Sequence, residues 1–284
     1  MAQRSGERDP AQHRQYLGFD RNDYPGDAAL PVLRKSFRYT GYWLNAPPGE
    51  AKSSWTGKRE ILRRHGFGFL LLFNGRSFAE LKASKQNGSD LAALGAADGK
   101  AAVAAAEREG FPRDVLIFLD QEEGGRLLPE QATYLFAWAD AVREAGARAG
   151  VYCSGIAVAE GNGTISTAED IAERESAGAA ENPSAKEKHA VRLPLWIAND
   201  QCPPSPGCTP KAPPFAAAAP PAIAEFVSVW QYAQSPRRKQ FSAACPANQA
   251  ADGRCYAPEL QPGEDSFVDL NVATSPDPSE APEE

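Results

Sequence analysis

The sequence predicts a single-domain α/β protein built as a (β/α)8 TIM-type barrel, and three observations carry that prediction. Short apolar runs alternate with helical patterns about eight times along the chain. The rival fold, a doubly wound sheet, advertises a Gly-rich phosphate loop after its first strand, but GFDRNDYPG stands there instead of GxGxxG. Several apolar runs also end in carboxylates, as strands do where a barrel opens onto a site.

Taken in order, the strand candidates are Leu17–Asp20, Tyr39–Leu44, Phe67–Phe73, Val115–Asp120, Ala149–Cys153, Leu193–Ala198, Phe226–Tyr232 and Phe267–Leu270. Each is short and rich in Val, Phe, Tyr or Leu, the residues that fit a pleated, buried surface. Helical patterns lie between most of them. Ser53–His65 opens on a Ser suited to an N-cap and closes before Gly66. Asp98–Glu109 is Ala-rich and stops at Gly110-Phe111-Pro112, Pro129–Ala145 starts on Pro and stops at Gly146, and Thr167–Ser176 is a weaker pattern. Residues 1–15 and 274–284 are polar, or rich in Pro, Ser and acid, and read as disordered tails flanking a barrel over 16–273.

Composition narrows the partners. A net charge of -7 argues against nucleic acid and anionic lipid. No apolar run reaches the roughly 18 residues of a membrane span. Residues 1–15 lack the apolar stretch of a secretory signal. The cysteines point outward nonetheless. Cys202 and Cys208 bracket CPPSPGC, Cys245 and Cys255 bracket CPANQAADGRC, and both stretches read as loops that a disulfide would restrict. Zinc ligation or free thiols are the alternatives, although neither pair is CxxC or near a histidine. Cys153, inside GVYCSG, reads as a buried free thiol. An extracellular or periplasmic monomer is expected.

The richest stretch is VLIFLDQEEGG, residues 115–125. Alternate strand residues share a face, so Asp120 and Glu122 point the same way, roughly 6.5–7 Å apart along the backbone. At the C-terminal end of a barrel strand that face is the site. Crowded, partly desolvated carboxyls repel, so one holds its proton while another ionises, which is the pairing that glycoside hydrolysis uses. The bland reading is an acidic turn capping the next helix. Asp20, ending the first strand candidate, and Asp269, ending the last in FVDLN, would converge on the same mouth because first and last strands are neighbours in a closed barrel. Each Asp alone is also an ordinary turn starter.

Tyr152, Trp196, Trp230, Tyr232 and Trp43 have ring faces suited to sugar rings; packing in the core is the competing role for each. Trp196 and Trp230 lie late in their strands, nearest the presumed mouth. His13, His65 and His189 form neither HxH nor HExxH, so no metal is expected, and GxSxG is absent. No other cofactor is expected either.

Together GFD, DQE, GVYCSG, LPLWIAND, VWQY and VDLN resemble the scaffold of the family 25 lysozymes, and the chain is similar to the bacterial glycoside-hydrolase-like domain DUF1906 from about Leu17 to Ala273. The resemblance implies that Glu122 is the general acid, Asp120 the stabiliser of an oxocarbenium-like transition state, and Asp20 and Asp269 the groups orienting sugar or water. It also implies Trp196, Trp230, Tyr152, Gln231 and Tyr232 as substrate-binding residues and bacterial cell-wall polysaccharide as substrate. The second helical pattern and the loops after the sixth and seventh strands depart from the lysozyme pattern. A catalytically silent wall-binding domain on the same barrel is the alternative function.

Overall fold

A computed structural model describes residues 14–181, 192–199, 214–215, 218–234 and 268–280. Eight strands close into a barrel: β1 (Tyr16–Asp20), β2 (Tyr39–Trp43), β3 (Gly68–Asn74), β4 (Leu116–Gln121), β5 (Arg148–Ser154), β8 (Leu195–Ala198), β9 (Val227–Ala233) and β10 (Asp269–Ala273). All eight expected strands are present. Their apolar runs are buried on both faces, between the barrel interior and an outer helical layer, and so they read as near-continuous hydrophobic stretches.

One strand departs from the parallel pattern. β10 pairs antiparallel with both β1 and β9. In the sequence reading Asp269 closes its strand; in the structure it opens it. The carboxylate still reaches the mouth, because β10 runs downward and starts where β9 ends, opposite Asp20.

The helices are α1 (Leu30–Ser36), α2 (Arg59–Arg64), α3 (Phe78–Gln86), α4 (Leu91–Arg108), α5 (Pro129–Glu144) and α6 (Thr167–Glu181). The pattern over Ser53–His65 yields only the short α2. Gly57, at φ 77°, turns the chain before it, and the Ser53 hydroxyl donates to the Trp43 carbonyl instead of capping a helix. α3 was not expected, yet Ser77 and Glu80 form a reciprocal capping box at its start. α4 begins at Leu91, earlier than expected, where the Asp90 carboxylate accepts from the Ala92 and Ala93 amides. A hairpin of β6 (Val158–Glu160) and β7 (Gly163–Ile165) follows β5 at the mouth.

Gly95 and Gly99 look like breakers inside α4, but they are contact points. A Cβ on Gly95 would lie 2.3 Å from the Tyr134 carbonyl oxygen, and one on Gly99 would lie 2.6 Å from that of Trp138. The two glycines let α4 press directly against the backbone of α5.

Residues 274–280, part of the tail expected over 274–284, pack against the barrel. Ser279 is fully buried, exchanges backbone hydrogen bonds with β3 and β4, and takes the Leu71 amide on its hydroxyl. Asp277 accepts from the Phe69 amide, and Glu280 pairs with Arg59 at 2.9 Å. These residues strap the end of the barrel opposite Asp120. Pro and Ser content suggested disorder, but unsatisfied strand-end amides recruit the segment. Among the described residues no helix is long and apolar enough to cross a membrane.

Helix propensity and packing make opposite forecasts for Gly95→Ala. Alanine favours a helix over glycine by about 1 kcal/mol, whereas a forced backbone shift in a packed interface costs about 1–3 kcal/mol. With a carbonyl at 2.3 Å, packing wins. Urea unfolding should show Gly95→Ala to be less stable than the unaltered protein; a gain in stability would contradict the close α4–α5 approach.

Candidate active site

β4 supplies the centre of the site. Phe118 and Asp120 alternate with the outward-facing Ile117 and Leu119, and Asp120 lies in register with Asn74 on β3 and Tyr152 on β5. Its carboxylate is buried, and Oδ1 has no hydrogen-bond partner. Burial first, then the charges of Glu122, Asp20 and Glu123, push the Asp120 carboxyl well above the usual carboxylate range. An unpaired anion there would face low dielectric and three like charges, and both favour the protonated form.

Glu122 stands just beyond the strand and is exposed to the cleft. Cleft walls still withdraw water from it, and together with Glu123 they raise its carboxyl. Glu123 has a different job. Its Oε1 accepts the Phe78 amide at 2.7 Å, at the first turn of α3, and its other oxygen takes the Gln121 side-chain amide. The Thr167 hydroxyl ties down the carbonyl of Gly125 at 2.8 Å. The turn after β4 is thereby fixed, with Glu122 as the carboxylate left facing the cleft.

Asp20 approaches from β1. Room for it comes from Gly41, where a Cβ would sit 2.6 Å from the Asp20 Cβ. Asp20 Oδ1 accepts from Asn271 Nδ2 at 2.6 Å and from Gln231 Nε2 at 3.1 Å. Tyr152 donates its hydroxyl to Gln231 Oε1 at 2.8 Å, and Trp196 donates its indole N–H to Asn271 Oδ1 at 2.9 Å. Asp269 pairs across from Asp20 in the β1–β10 ladder. The Tyr152 hydroxyl reports the convergence of all four carboxylates. Burial raises its pKa most, followed by Asp20, Asp120, Asp269 and Glu122.

The structure thus brings Asp20, Asp120, Glu122, Asp269, Tyr152 and Gln231 to one mouth. It withdraws the other aromatics from it. Trp196, Trp230 and Tyr232 are at most 1% exposed, so their rings are packed rather than presented to a sugar. Trp230 donates to the Asn199 carbonyl and Trp196 packs edge-on against Tyr152 at 4.7 Å. Trp43 is buried too, donating to the Arg21 carbonyl. Apolar strands hide their indoles as readily as they show them, and alternation alone did not say which. Cys153 is buried, and desolvation pushes its thiol up to about 12, which removes it as a nucleophile. Cys202, Cys208, Cys245 and Cys255 lie outside the described residues. No cluster of metal-ligating side chains occurs among the described residues.

Two depressions meet at Glu122. One, of about 420 Å³, is lined by Asn74, Arg76, Ser77, Glu80, Asp120 and Glu123 among others. The other, of about 330 Å³, is lined by Tyr152, Ser154, Ile156, Ala198 and Gln234. Among the described residues Glu122 is the one common to both, standing as a ridge between two hollows of mixed polar and apolar lining. Sequence reasoning missed Asn271, Asn74 and Arg76. Asn271 stood in the quoted VDLN, and its partners on two other strands are visible only once the barrel closes.

A family model described as the Rv2525c-like, glycoside hydrolase-like domain matches residues 38–204, more than half of the chain. No curated protein sequence matches it. Among solved structures, an uncharacterized protein of B. stearothermophilus is similar over 91% of this chain and 95% of its own, with 23% identity and a TM-score of 0.57. That likeness establishes a shared fold. The Tat-secreted protein Rv2525c of Mycobacterium tuberculosis, in complex with L-tartrate, aligns over 92% of this chain and 95% of its own at 12% identity and a TM-score of 0.46. A family 25 glycosyl hydrolase from Bacillus anthracis aligns over 96% and 94% at 10% identity and a TM-score of 0.44.

Asp120 should cost the fold stability in a pH-dependent way. Its folded-state pKa lies above the unfolded value, so the folded protein holds a proton that the unfolded chain releases. The resulting stability is fully present below the unfolded pKa, about 4, and is lost as pH rises through the raised one. Asp120→Asn keeps the shape and drops the titration. Melting curves should show the variant gaining on the unaltered protein as pH rises from about 4 towards 8. A difference that stays constant with pH would contradict a buried, protonated Asp120.

Proposed function

Because this chain belongs to the Rv2525c-like, glycoside hydrolase-like domain family, we propose that it hydrolyses glycosidic bonds in bacterial cell-wall polysaccharide at the mouth of its barrel. The observation that carries this reading is the position of Glu122. It is a carboxyl raised by its surroundings, open to the cleft, and shared by the hollows on either side of it. A general acid needs a raised pKa and access to the leaving-group oxygen, and the surroundings of Glu122 push it in that direction while leaving it open to the cleft.

The other carboxylates divide the remaining work. A sugar bound across the ridge places its reacting carbon beside Asp120 and within the field of Asp20. Asp20, receiving two amide N–H groups, carries negative charge into the site and stabilises the positive charge that grows as the bond breaks. Asp120 rests protonated and donates to a sugar oxygen. Asp269 orients sugar or water from the β10 side. Tyr152 is the one aromatic side chain lining either hollow among the described residues, and it offers an edge for a sugar face. All these groups come from one chain, so a monomer suffices. A cell-wall substrate places the protein outside the cytoplasm, extracellular or periplasmic, where cysteine pairs 202/208 and 245/255 would oxidise.

A catalytically silent wall-binding domain is the competing role. Binding domains for sugars lean on exposed aromatic platforms, whereas here Trp196 and Trp230 are buried and the described cleft is lined by carboxylates. That contrast favours hydrolysis.

The test is release of reducing ends from purified peptidoglycan. Glu122→Gln should lower the rate by at least about 100-fold, the usual worth of a positioned acid, while wall binding persists. Turnover that survives this change would overturn the role of Glu122, and wall binding with no turnover in the unaltered protein would establish the silent role.

A further inference from the structure

The hydrogen bonds beneath the mouth have a direction. An indole N–H can only donate, so the side of Asn271 that meets Trp196 must be its carbonyl oxygen. The amide nitrogen of Asn271 is therefore turned to Asp20, at 2.6 Å. Asn271 is fully buried and Trp196 almost so, and neither can rotate without stranding a polar group. The register of β9 shifts by one residue against β10 at Leu270/Asn271 and against β8 at Leu195/Trp196, beside these two side chains.

We infer that Trp196 is a positioning residue whose indole N–H, acting through Asn271, holds an N–H donor on Asp20 and so stabilises its ionised form. The donor-only indole at one end of the chain dictates that Asn271 presents N–H to Asp20 Oδ1, and with Gln231 on the same oxygen two fixed donors favour the carboxylate over the acid. Gln231 adds a second donor from β9, itself oriented by the Tyr152 and Gln234 side chains on its oxygen. Among the described residues, Tyr39 faces Asp20 from β2, Asp120 from β4, Tyr152 from β5 and Asp269 from β10, with Arg21 next along the chain. Crowded carboxyls resist ionising together, and the relay favours Asp20 as one that does. Asp120, with no donor on its Oδ1, becomes the protonated member.

The inference deepens the hydrolytic reading of this mouth but is measurable without turnover. The experiment is a carboxyl-carbon NMR titration of the full chain, with Asp20 assigned by difference from Asp20→Asn. Two variants remove the N–H: Trp196→Phe, and replacement of Trp196 by benzothienylalanine, which keeps the bicyclic shape and exchanges N–H for sulfur. Freed of its donor, Asn271 can turn its oxygen toward Asp20. The Asp20 midpoint should then rise by about one pH unit or more, a tenfold change in its protonation equilibrium, and the acid limb of any pH–rate profile should move with it. An Asp20 midpoint unchanged in the shape-preserving variant would overturn the relay. Should the unaltered protein release no reducing ends, the hydrolytic reading falls and the titration still decides the relay.

Discussion

Carboxylates brought together in a poorly hydrated mouth cannot all be ionised, and the arrangement of this protein follows from that constraint. Four acidic side chains from β1, β4, the turn after β4, and β10 share one opening. Like charges at close range in low dielectric repel by several kcal/mol, far more than any single surface ion pair returns. The molecule resolves the conflict by unequal solvation. Asp20 receives amide donors, Glu122 faces the cleft, and Asp120 is left in the wall with an unpartnered oxygen. Unequal pKa values are the consequence, and acid–base chemistry on a sugar is what such inequality serves.

The barrel is shaped to hold those positions. Gly41 clears space for the Asp20 side chain, and Gly18 does the same below it for the Tyr39 ring. Register shifts in the β8/β9 and β9/β10 ladders fall beside Trp196, Gln231 and Asn271, residues from three strands that join one hydrogen-bonded line through Asp20. Glu123 is spent on the α3 N-terminus, which fixes the turn and leaves Glu122 to the cleft. At the opposite end, the 274–280 strap satisfies amides of β3 and β4. A site on strand ends is only as rigid as the strands beneath it.

Much of this was legible in the amino-acid sequence, for physical reasons. Strands covered by helices on one side and a packed interior on the other must be apolar along their length, and all eight announced themselves that way. The Asp120–Glu122 spacing drew attention to the end of β4, although Glu122 lies one residue past the strand and alternation alone does not fix its direction. What stayed hidden depended on distant partners. Gly95 and Gly99 are poor helix formers, and only the backbone of α5 pressed against them accounts for their place in α4. The Ser77–Glu80 capping box was readable and overlooked, because α3 has little apolar periodicity to attract notice. The direction of β10 and the burial of Trp196 and Trp230 are decided by closure of the barrel, which no local pattern encodes.

The most direct test of the account is a neutron structure of the unaltered protein, grown from heavy water near neutral pD. Deuterium should appear on the Asp120 carboxyl and be absent from Asp20, with the Asn271 amide deuterons pointing at Asp20. Deuterium on Asp20, or a bare Asp120, would contradict the claim that this mouth works by holding neighbouring carboxyls in opposite protonation states.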